Sequence, residues 1–342
     1  MKRSIVRLLL SILIFSTLAG CETDFDVTAP WKDITVVYGL ISQNDSVHYV
    51  RVNKAFLGDG NAYTYAQIAD SSSYGDNIEV TIYEILGNDT LRTFLCEKTM
   101  VTDKESGIFS TTQEAYKAEF KMPSDVNQSN RDYLYTVKIR NIITGKSVTG
   151  STKVVKSFVV TKPREDQSLI NFVTSSSQKV QWTSAVGGRR YNISVRFWFE
   201  EVWKGNKTLQ RYIDWQLSSV KSESDEGNDA LEIFYSPLSF YVVCKNLIPY
   251  SLSAQEDSVV SRMVDKAEFR FMVAADELNT YMEVNEPSTG IVQDKPEYTN
   301  IENGYGLFSS RYTKSIAIPI GDPTEELLFE ENLKFIDNPD NK

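Results

Sequence analysis

The sequence contains a single histidine, His48, among 342 residues. Zinc and iron centres built on several imidazole ligands are therefore excluded. Any Ser-His-Asp or Cys-His mechanism would have to use this one side chain. His48 falls on the same side of a predicted strand as Val50 and Val52. This alternation favours a half-buried structural histidine over a catalytic one.

Cysteines and basic runs are also scarce. Only Cys21, Cys96 and Cys244 are present, too far apart for the paired spacing of a zinc site. We expect Cys96 and Cys244 to be separate buried thiols; a disulfide is the alternative if the fold brings them together. The formal net charge is −10 and no Lys/Arg-rich run occurs, so nucleic-acid binding is not expected.

Motifs for metal ions and phosphates are missing as well. The acidic residues Asp225, Glu226, Asp229 and Glu232 lack the Asp-x-Asp-x-Asp-Gly spacing of a calcium loop, which favours a flexible acidic loop. No Gly-rich phosphate loop is found. The sequence therefore predicts neither a metal ion nor a cofactor.

The N-terminus has the features of a bacterial lipoprotein signal. Met1-Lys2-Arg3 precedes an apolar run over residues 8–18, and small residues lead to Cys21. The alternatives are an ordinary signal peptide and a membrane anchor, but the run is shorter than the roughly 20 residues that span a bilayer. We expect residues 1–20 to be removed and a lipidated Cys21 to hold the mature chain to the membrane.

Residues 21–29 are predicted to form an acidic tether. Their alternating Glu and Asp residues resemble the signal that sends Bacteroidota lipoproteins to the cell surface, although a solvated, disordered segment has the same composition. We therefore expect a lipid-anchored outer-membrane protein that is exposed at the cell surface, with the periplasmic face as the alternative.

Most of the remaining chain alternates with the period of antiparallel strands, which predicts a mainly β protein. We expect an immunoglobulin-like β-sandwich over residues 30–158 and a fibronectin-like β domain over 159–342, joined by a polar, proline-containing linker. Two short helices are predicted in the second domain, at 236–246 and 274–285. The amphipathic end, 327–336, is expected to be a last strand or a docked segment.

Candidate contact residues lie on two successive strands of the second half. Arg196 and Trp198 share the polar face of one strand, and Tyr212 and Asp214 share one face of the returning strand. If these faces coincide, the aromatic rings among charged groups would suit a sugar ring or a peptide side chain. The alternative is that neighbouring elements cover this face. Trp203, near the hairpin tip, is a further candidate.

No catalytic residues are predicted, and we expect the protein not to be an enzyme. Two carboxylates are enough to hydrolyse a glycoside without histidine. However, the chain has 46 Asp and Glu residues, so proximity in sequence does not single out a pair. Glu200-Glu201 lies at a strand end, where solvated side chains are the simpler interpretation.

One further pattern resembles a known family. The lipoprotein start, the strand Ile34-Thr35-Val36-Val37-Tyr38-Gly39 and the stretch Asn300-Ile301-Glu302-Asn303-Gly304-Tyr305-Gly306-Leu307-Phe308 are similar to DUF4249, a family of uncharacterised Bacteroidota lipoproteins. Glycines 304 and 306 permit a tight backbone path before a closing strand. Members of the family are often encoded beside TonB-dependent outer-membrane receptors, which implies an accessory role in uptake. The family offers no established catalytic residues.

Together these features predict a lipid-anchored binding protein that holds a glycan or peptide ligand, or a TonB-dependent receptor, at the membrane. A structural envelope lipoprotein without a small ligand is one alternative, and a fully covered sheet face would support it. A carboxylate glycoside hydrolase is the other, and it would require a cleft with two carboxyls roughly 5–10 Å apart.

Overall fold

A computed structural model describes residues 34–55, 73–101, 113–252, 258–286 and 297–337, without the side chains of 249–252. Over these residues the chain is mainly β with sandwich packing, which confirms the predicted fold class. The predicted leader and tether, residues 1–29, lie outside this range. The strands are β1 (Ile34–Ser42), β2 (Val47–Ala55), β3 (Ile78–Leu86), β4 (Asp89–Leu95), β5 (Glu97–Val101), β6 (Gln113–Glu119), β7 (Tyr133–Asn141), β8 (Ser147–Lys153), β9 (Val160–Lys162), β10 (Gln178–Thr183), β11 (Arg190–Trp203), β12 (Lys207–Lys221), β13 (Ala230–Tyr235), β14 (Val259–Ala274), β15 (Ile301–Glu302) and β16 (Tyr305–Pro319).

Three sheets organise these strands. The large sheet has eight strands in the order β12-β11-β14-β16-β1-β2-β6-β5. A five-stranded sheet, β15-β8-β7-β3-β4, accompanies its β1–β6 half, and a three-stranded sheet, β13-β10-β9, accompanies the other half. The large sheet therefore runs through both predicted domains.

The two halves of the large sheet meet where β1 pairs with β16. This pairing is parallel, with Val37 opposite Gly306 and Tyr38 opposite Leu307. Gly306 has a φ of +112°, and a Cβ at this position would lie 2.0 Å from the carbonyl oxygen of Val37. Only glycine permits this backbone approach, as the tight path predicted around residues 304 and 306 requires.

Two hydrophobic cores lie on one side of the large sheet. The first joins Val37 and Val50 of this sheet to Tyr135 and Val137 of the five-stranded sheet. The second joins alternate residues of β11, β14 and β16 to the three-stranded sheet and is the larger cluster: its members include Tyr191, Phe197, Phe271, Ile318, Val180 and Trp182. The side chains reach these cores because alternate strand residues point to the same face.

The first core also recruits residues from the end of the chain. Ile301 and Phe308 are buried in it, although both lie beyond the predicted boundary at residue 158. The predicted domains at 30–158 and 159–342 treat the chain as two consecutive units. In the structure, the chain returns through β15 and β16 to complete the first unit after building the second.

The described residues form three helices: α1 (Ser239–Leu252), α2 (Asp276–Asn285) and α3 (Asp322–Phe329). The first two lie close to the predicted ones, but α1 continues past residue 246, where the prediction had it end, and includes Pro249. Phe240, Cys244 and Ile248 bury one stripe of α1 in the second core, and this packing offsets the hydrogen bond that proline cannot donate.

The prediction missed α3, although Asp322-Pro323 is a typical helix start. Only the residues after this helix behave as a docked segment. Leu333 and Phe335 are buried in the second core, and the backbone of Arg262 exchanges hydrogen bonds with Lys334 and Ile336. The amphipathic pattern of residues 327–336 therefore combines the end of a helix with a short docked stretch.

His48 and the two described cysteines are interior groups. His48 is 1% exposed, more buried than predicted, and its ring stacks on Phe120 at 4.1 Å. Burial lowers the pKa of this imidazole. Cys96 and Cys244 are free, buried thiols in different cores, as expected, and burial raises the pKa of Cys96 to about 12.

Gly306→Ala should destabilise the protein far more than Gly205→Ala. Both glycines have positive φ, but a Cβ at Gly205 meets nothing within 4 Å. The free energy of unfolding of the Gly205→Ala control should therefore fall by only about 1–2 kcal/mol, the cost of a side chain at positive φ. In urea unfolding, the free energy of unfolding of Gly306→Ala should fall by well over about 2 kcal/mol, because the new Cβ forces β1 and β16 apart. Equal losses for the two variants would contradict this account of the β1–β16 pairing.

Candidate functional site

The large sheet has one face opposite its two cores, which we call the open face. Strand registers place alternate residues of β12, β11, β14, β16, β1 and β2 on this face. Several of its large side chains are exposed: Tyr38, Tyr49, Tyr212 and Met272. The helix α2 lies beside β16 on this face, where the backbone N–H of Leu278 donates to Ser309 Oγ at 3.2 Å.

The predicted contact residues Arg196, Trp198, Tyr212 and Asp214 form one cluster on the open face, which we call the Trp198 patch. Antiparallel pairing of β11 with β12 sets Arg196 directly opposite Asp214 and Trp198 directly opposite Tyr212. The polar face of β11 and the Tyr212-bearing face of β12 are therefore one continuous surface, which is the condition for a joint contact site.

Charge and aromatic contacts order the Trp198 patch. Arg196 donates two hydrogen bonds to the Asp214 carboxylate, at 2.8 and 2.9 Å. Its guanidinium carbon lies 3.7 Å from the centre of the Tyr212 ring, within cation–π range. The hydrogen bonds to Asp214 also raise the pKa of Arg196, which favours its charged form. Bidentate pairing of this kind holds a side chain in one geometry.

The aromatic members of the patch combine apolar surface with polar partners. The Trp198 and Tyr212 ring centroids are 4.9 Å apart, and Trp198 Nε1 donates to Glu268 at 2.9 Å. Tyr212 is 49% exposed. The patch is thus a preformed aromatic surface rimmed by charged groups, a composition that is enriched at binding hot spots.

Trp203 lies apart from the Trp198 patch. It shares the core-side face of β11 with Glu201, and its Nε1 donates to the Glu201 carboxylate at 3.1 Å. The structure thus brings Arg196, Trp198, Tyr212 and Asp214 together but leaves Trp203 on the opposite side of the sheet. Strand alternation provides the signal, because positions 198 and 203 differ by an odd number.

Glu201 itself is not the solvated residue that the sequence suggested. It is 0% exposed and accepts a hydrogen bond at 3.0 Å from Arg262, which is equally buried. Arg262 also donates to the carbonyl of Leu333 at 2.7 Å, so the pair ties β11 and β14 to the docked end of the chain. Removing one partner of such a pair leaves a buried charge without compensation, which costs about 3–5 kcal/mol.

A second feature of the open face is a cavity of about 730 Å³ between α2 and the first half of the large sheet. We call it the α2 groove. Six of its lining residues define it: Tyr38, Leu40, Tyr49, Arg51, Tyr281 and Arg311. No sequence pattern predicts this groove, because the groove depends on the parallel pairing of β1 with β16, a strand more than 260 residues later in the chain. Only the alternation of Val47, Tyr49 and Arg51 along β2 indicated an exposed face there.

Hydrogen bonds hold α2 in position beside the groove. The hydroxyls of Thr152 and Ser309 donate to the Glu277 carboxylate, at 3.2 and 3.1 Å. Burial of Glu277 raises the pKa of its carboxyl. At the groove itself, the Tyr281 and Tyr38 hydroxyls lie 3.5 Å apart, and this contact raises the pKa of Tyr38 to about 12.

Comparison with known proteins gives little further identification. No protein-family model matches the chain, and no curated protein does. Among solved structures, a DUF4785 family protein from Legionella pneumophila aligns over 66% of this chain at 8% identity, with a TM-score of 0.17. The chain spans about half of that protein, 48% of its length. A likeness at this TM-score carries no argument, and the resemblance to DUF4249 stays a prediction.

Within the part of the chain that the structure describes, no group of three or more His, Cys, Asp or Glu side chains is arranged to hold a metal ion. Over the same residues, no helix combines the length and apolar character required to cross a membrane.

Glu277→Gln should raise the free energy of unfolding at neutral pH. The folded state raises the pKa of Glu277, so the wild type loses stability as pH rises from about 4 through that raised value. Glutamine avoids this loss and still accepts the two hydroxyl hydrogen bonds. Urea unfolding from pH 4 to 8 should show a gain that grows with pH.

Glu283→Gln on the same helix is the matched control. A hydrogen bond from Lys221 lowers the pKa of Glu283, so this carboxylate stabilises the fold above its unfolded pKa. Its replacement should therefore cost stability as pH rises, which is the opposite trend. A pH-independent effect of Glu277→Gln would show that desolvation does not govern this carboxyl.

Proposed function

We propose that the protein is a lipid-anchored outer-membrane accessory protein that assists a TonB-dependent receptor in nutrient capture, with the Trp198 patch as the contact surface. The lipoprotein signal ending at Cys21 supports the anchoring. Because a bacterial lipoprotein carries several acyl chains, such an anchor is stable where a single chain would be marginal. The resemblance to DUF4249 supports the choice of partner.

The observation that carries this proposal is the exposed, ordered geometry of the Trp198 patch. A structural lipoprotein without a binding role has no need to keep Tyr212 half exposed beside Trp198. Trp, Tyr and Arg are the residues most enriched at binding hot spots, and this patch contains one of each. The rim of Asp214 and Glu268 supplies polar groups that add specificity.

The test is a pull-down from intact cells that produce the tagged, lipidated chain, followed by mass spectrometry. The wild type should recover a TonB-dependent receptor reproducibly. The double variant Trp198→Ala/Tyr212→Ala should recover it at least about tenfold less, because hot-spot truncations cost about 2 kcal/mol or more. Met272→Ala, which removes another exposed side chain of the open face, should leave recovery unchanged.

Cys21→Ser separates anchoring from contact. This variant lacks the thiol that accepts the lipid, so it should leave the membrane fraction while keeping its fold. Recovery of only structural envelope proteins, or of nothing, would overturn the accessory role. Receptor recovery that is unaffected by the Trp198→Ala/Tyr212→Ala variant would keep the partnership but exclude the Trp198 patch as its contact.

A further inference from the structure

We propose that the α2 groove is a separate binding site for a neutral oligosaccharide. The groove lies on the open face but shares no lining residue with the Trp198 patch. The proposal goes beyond the partnership with a receptor and does not depend on it. Four observations carry it: the size of the groove, its exposed aromatic rings, its hydrogen-bonding groups and the presence of both charge signs among the groups that face it.

The size and walls of the groove fit a ligand of a few sugar rings. Its volume of 730 Å³ lies within the roughly 300–1,000 Å³ of small-molecule sites. The strands β1 and β2 form its floor, and α2 forms one wall with Leu278 and Tyr281. Since α2 is held by Ser309 and Thr152, this wall is in place before a ligand arrives, which reduces the entropy lost on binding.

Two aromatic rings stand on the floor of the groove. Tyr49 is 48% exposed and Tyr38 is 40% exposed, on adjacent strands. Tyr281 meets Tyr38 edge to face, with centroids 6.0 Å apart, and so orients that ring. Exposed aromatic surface in a concavity suits the C–H face of a pyranose ring, which is apolar while its edge carries hydroxyls.

The groups around these rings are suited to hydroxyls. Arg51 uses its Nε to donate to Asn53 at 2.7 Å, which fixes the plane of the guanidinium. Arg311 lies 3.5 Å from the Asp45 carboxylate, and the Gln113 amide lies further along the groove. Planar groups with paired donors or acceptors match the adjacent hydroxyls of a sugar.

Charged groups of both signs face the groove. Arg51 and Arg311 are the cations and Asp45 is the anion, whereas the Glu114 side chain lies on the core-side face of β6 with Tyr116. Asp45 faces Arg311 at 3.5 Å, and Arg51 donates to the neutral side chain of Asn53. A cationic ligand would meet an arginine and an anionic ligand would meet Asp45, so either would face a like charge. A wholly apolar ligand would desolvate these groups without replacing their hydrogen bonds. A neutral polyhydroxylated ligand avoids both costs.

The test is isothermal titration calorimetry of the full chain with maltohexaose, cellohexaose, xylohexaose, mannohexaose and laminarihexaose, and with the acidic hexagalacturonate. At least one neutral hexasaccharide should bind saturably. Tyr49→Ala should weaken that binding by about tenfold or more through loss of one stacking ring. Phe234→Ala is the matched control, since Phe234 is also an exposed aromatic residue (61%, against 48% for Tyr49) but lies on β13 in the three-stranded sheet.

Each other outcome overturns the proposal. Absence of saturable binding to every neutral probe rejects the oligosaccharide site, and binding of hexagalacturonate alone rejects a neutral ligand. Loss of binding in Phe234→Ala, or unchanged binding in Tyr49→Ala, moves the site away from the α2 groove. Tyr49→Phe, which keeps the ring, should retain affinity, and so separates stacking from a folding defect.

A failed pull-down with intact sugar binding would reject only the receptor partnership.

Discussion

The parallel pairing of β1 with β16 is the constraint on which the rest of the structure depends. It joins strands from opposite ends of the described chain, with Val37 opposite Gly306 and Ser42 opposite Arg311. Near the start of β16, Phe308 is buried in the first core. Further along the same strand, Ile316 and Ile318 are buried in the second core. Because one strand serves both cores, neither half of the large sheet is an independent unit.

This shared strand also determines where the two candidate sites lie. Both cores occupy one face of the large sheet, so the Trp198 patch and the α2 groove lie on the opposite face. The Trp198 patch lies toward the β12 edge of that face, and the α2 groove lies over β1 and β2. The open face therefore carries both the proposed partner contact and the proposed ligand site.

Local patterns predicted much of this arrangement. Strand alternation put Arg196 with Trp198 on one polar face and Tyr212 with Asp214 on another, and left open whether the two faces coincide. The register of β11 and β12 makes them one face and pairs Trp198 with Tyr212 and Arg196 with Asp214. The same alternation puts the odd-numbered residues of β11 on the core side, so it would also have separated Trp203 from the Trp198 patch and buried Glu201. What a single strand cannot show is the partner that compensates a buried charge: Arg262 reaches Glu201 from 61 residues away.

Long-range pairings explain the remaining failures. The domain boundary after residue 158 was predicted from the polar, proline-containing linker that follows it, but strand pairing does not follow the order of the chain. The α2 groove needs β1, β2, β16 and α2 together, and no local window contains them. The fold class was predictable from periodicity, whereas the site at the junction of distant segments required the topology.

Native-state hydrogen exchange, measured across a series of urea concentrations, tests the central claim that one shared sheet unites the two halves. The account predicts that the amides of β1 and β16 open together, with the same free energy and urea dependence as core amides of β7 and β11. Protection that persists in β11 and β14 after β1 and β16 have opened would contradict it, because the second half would then be stable without the first.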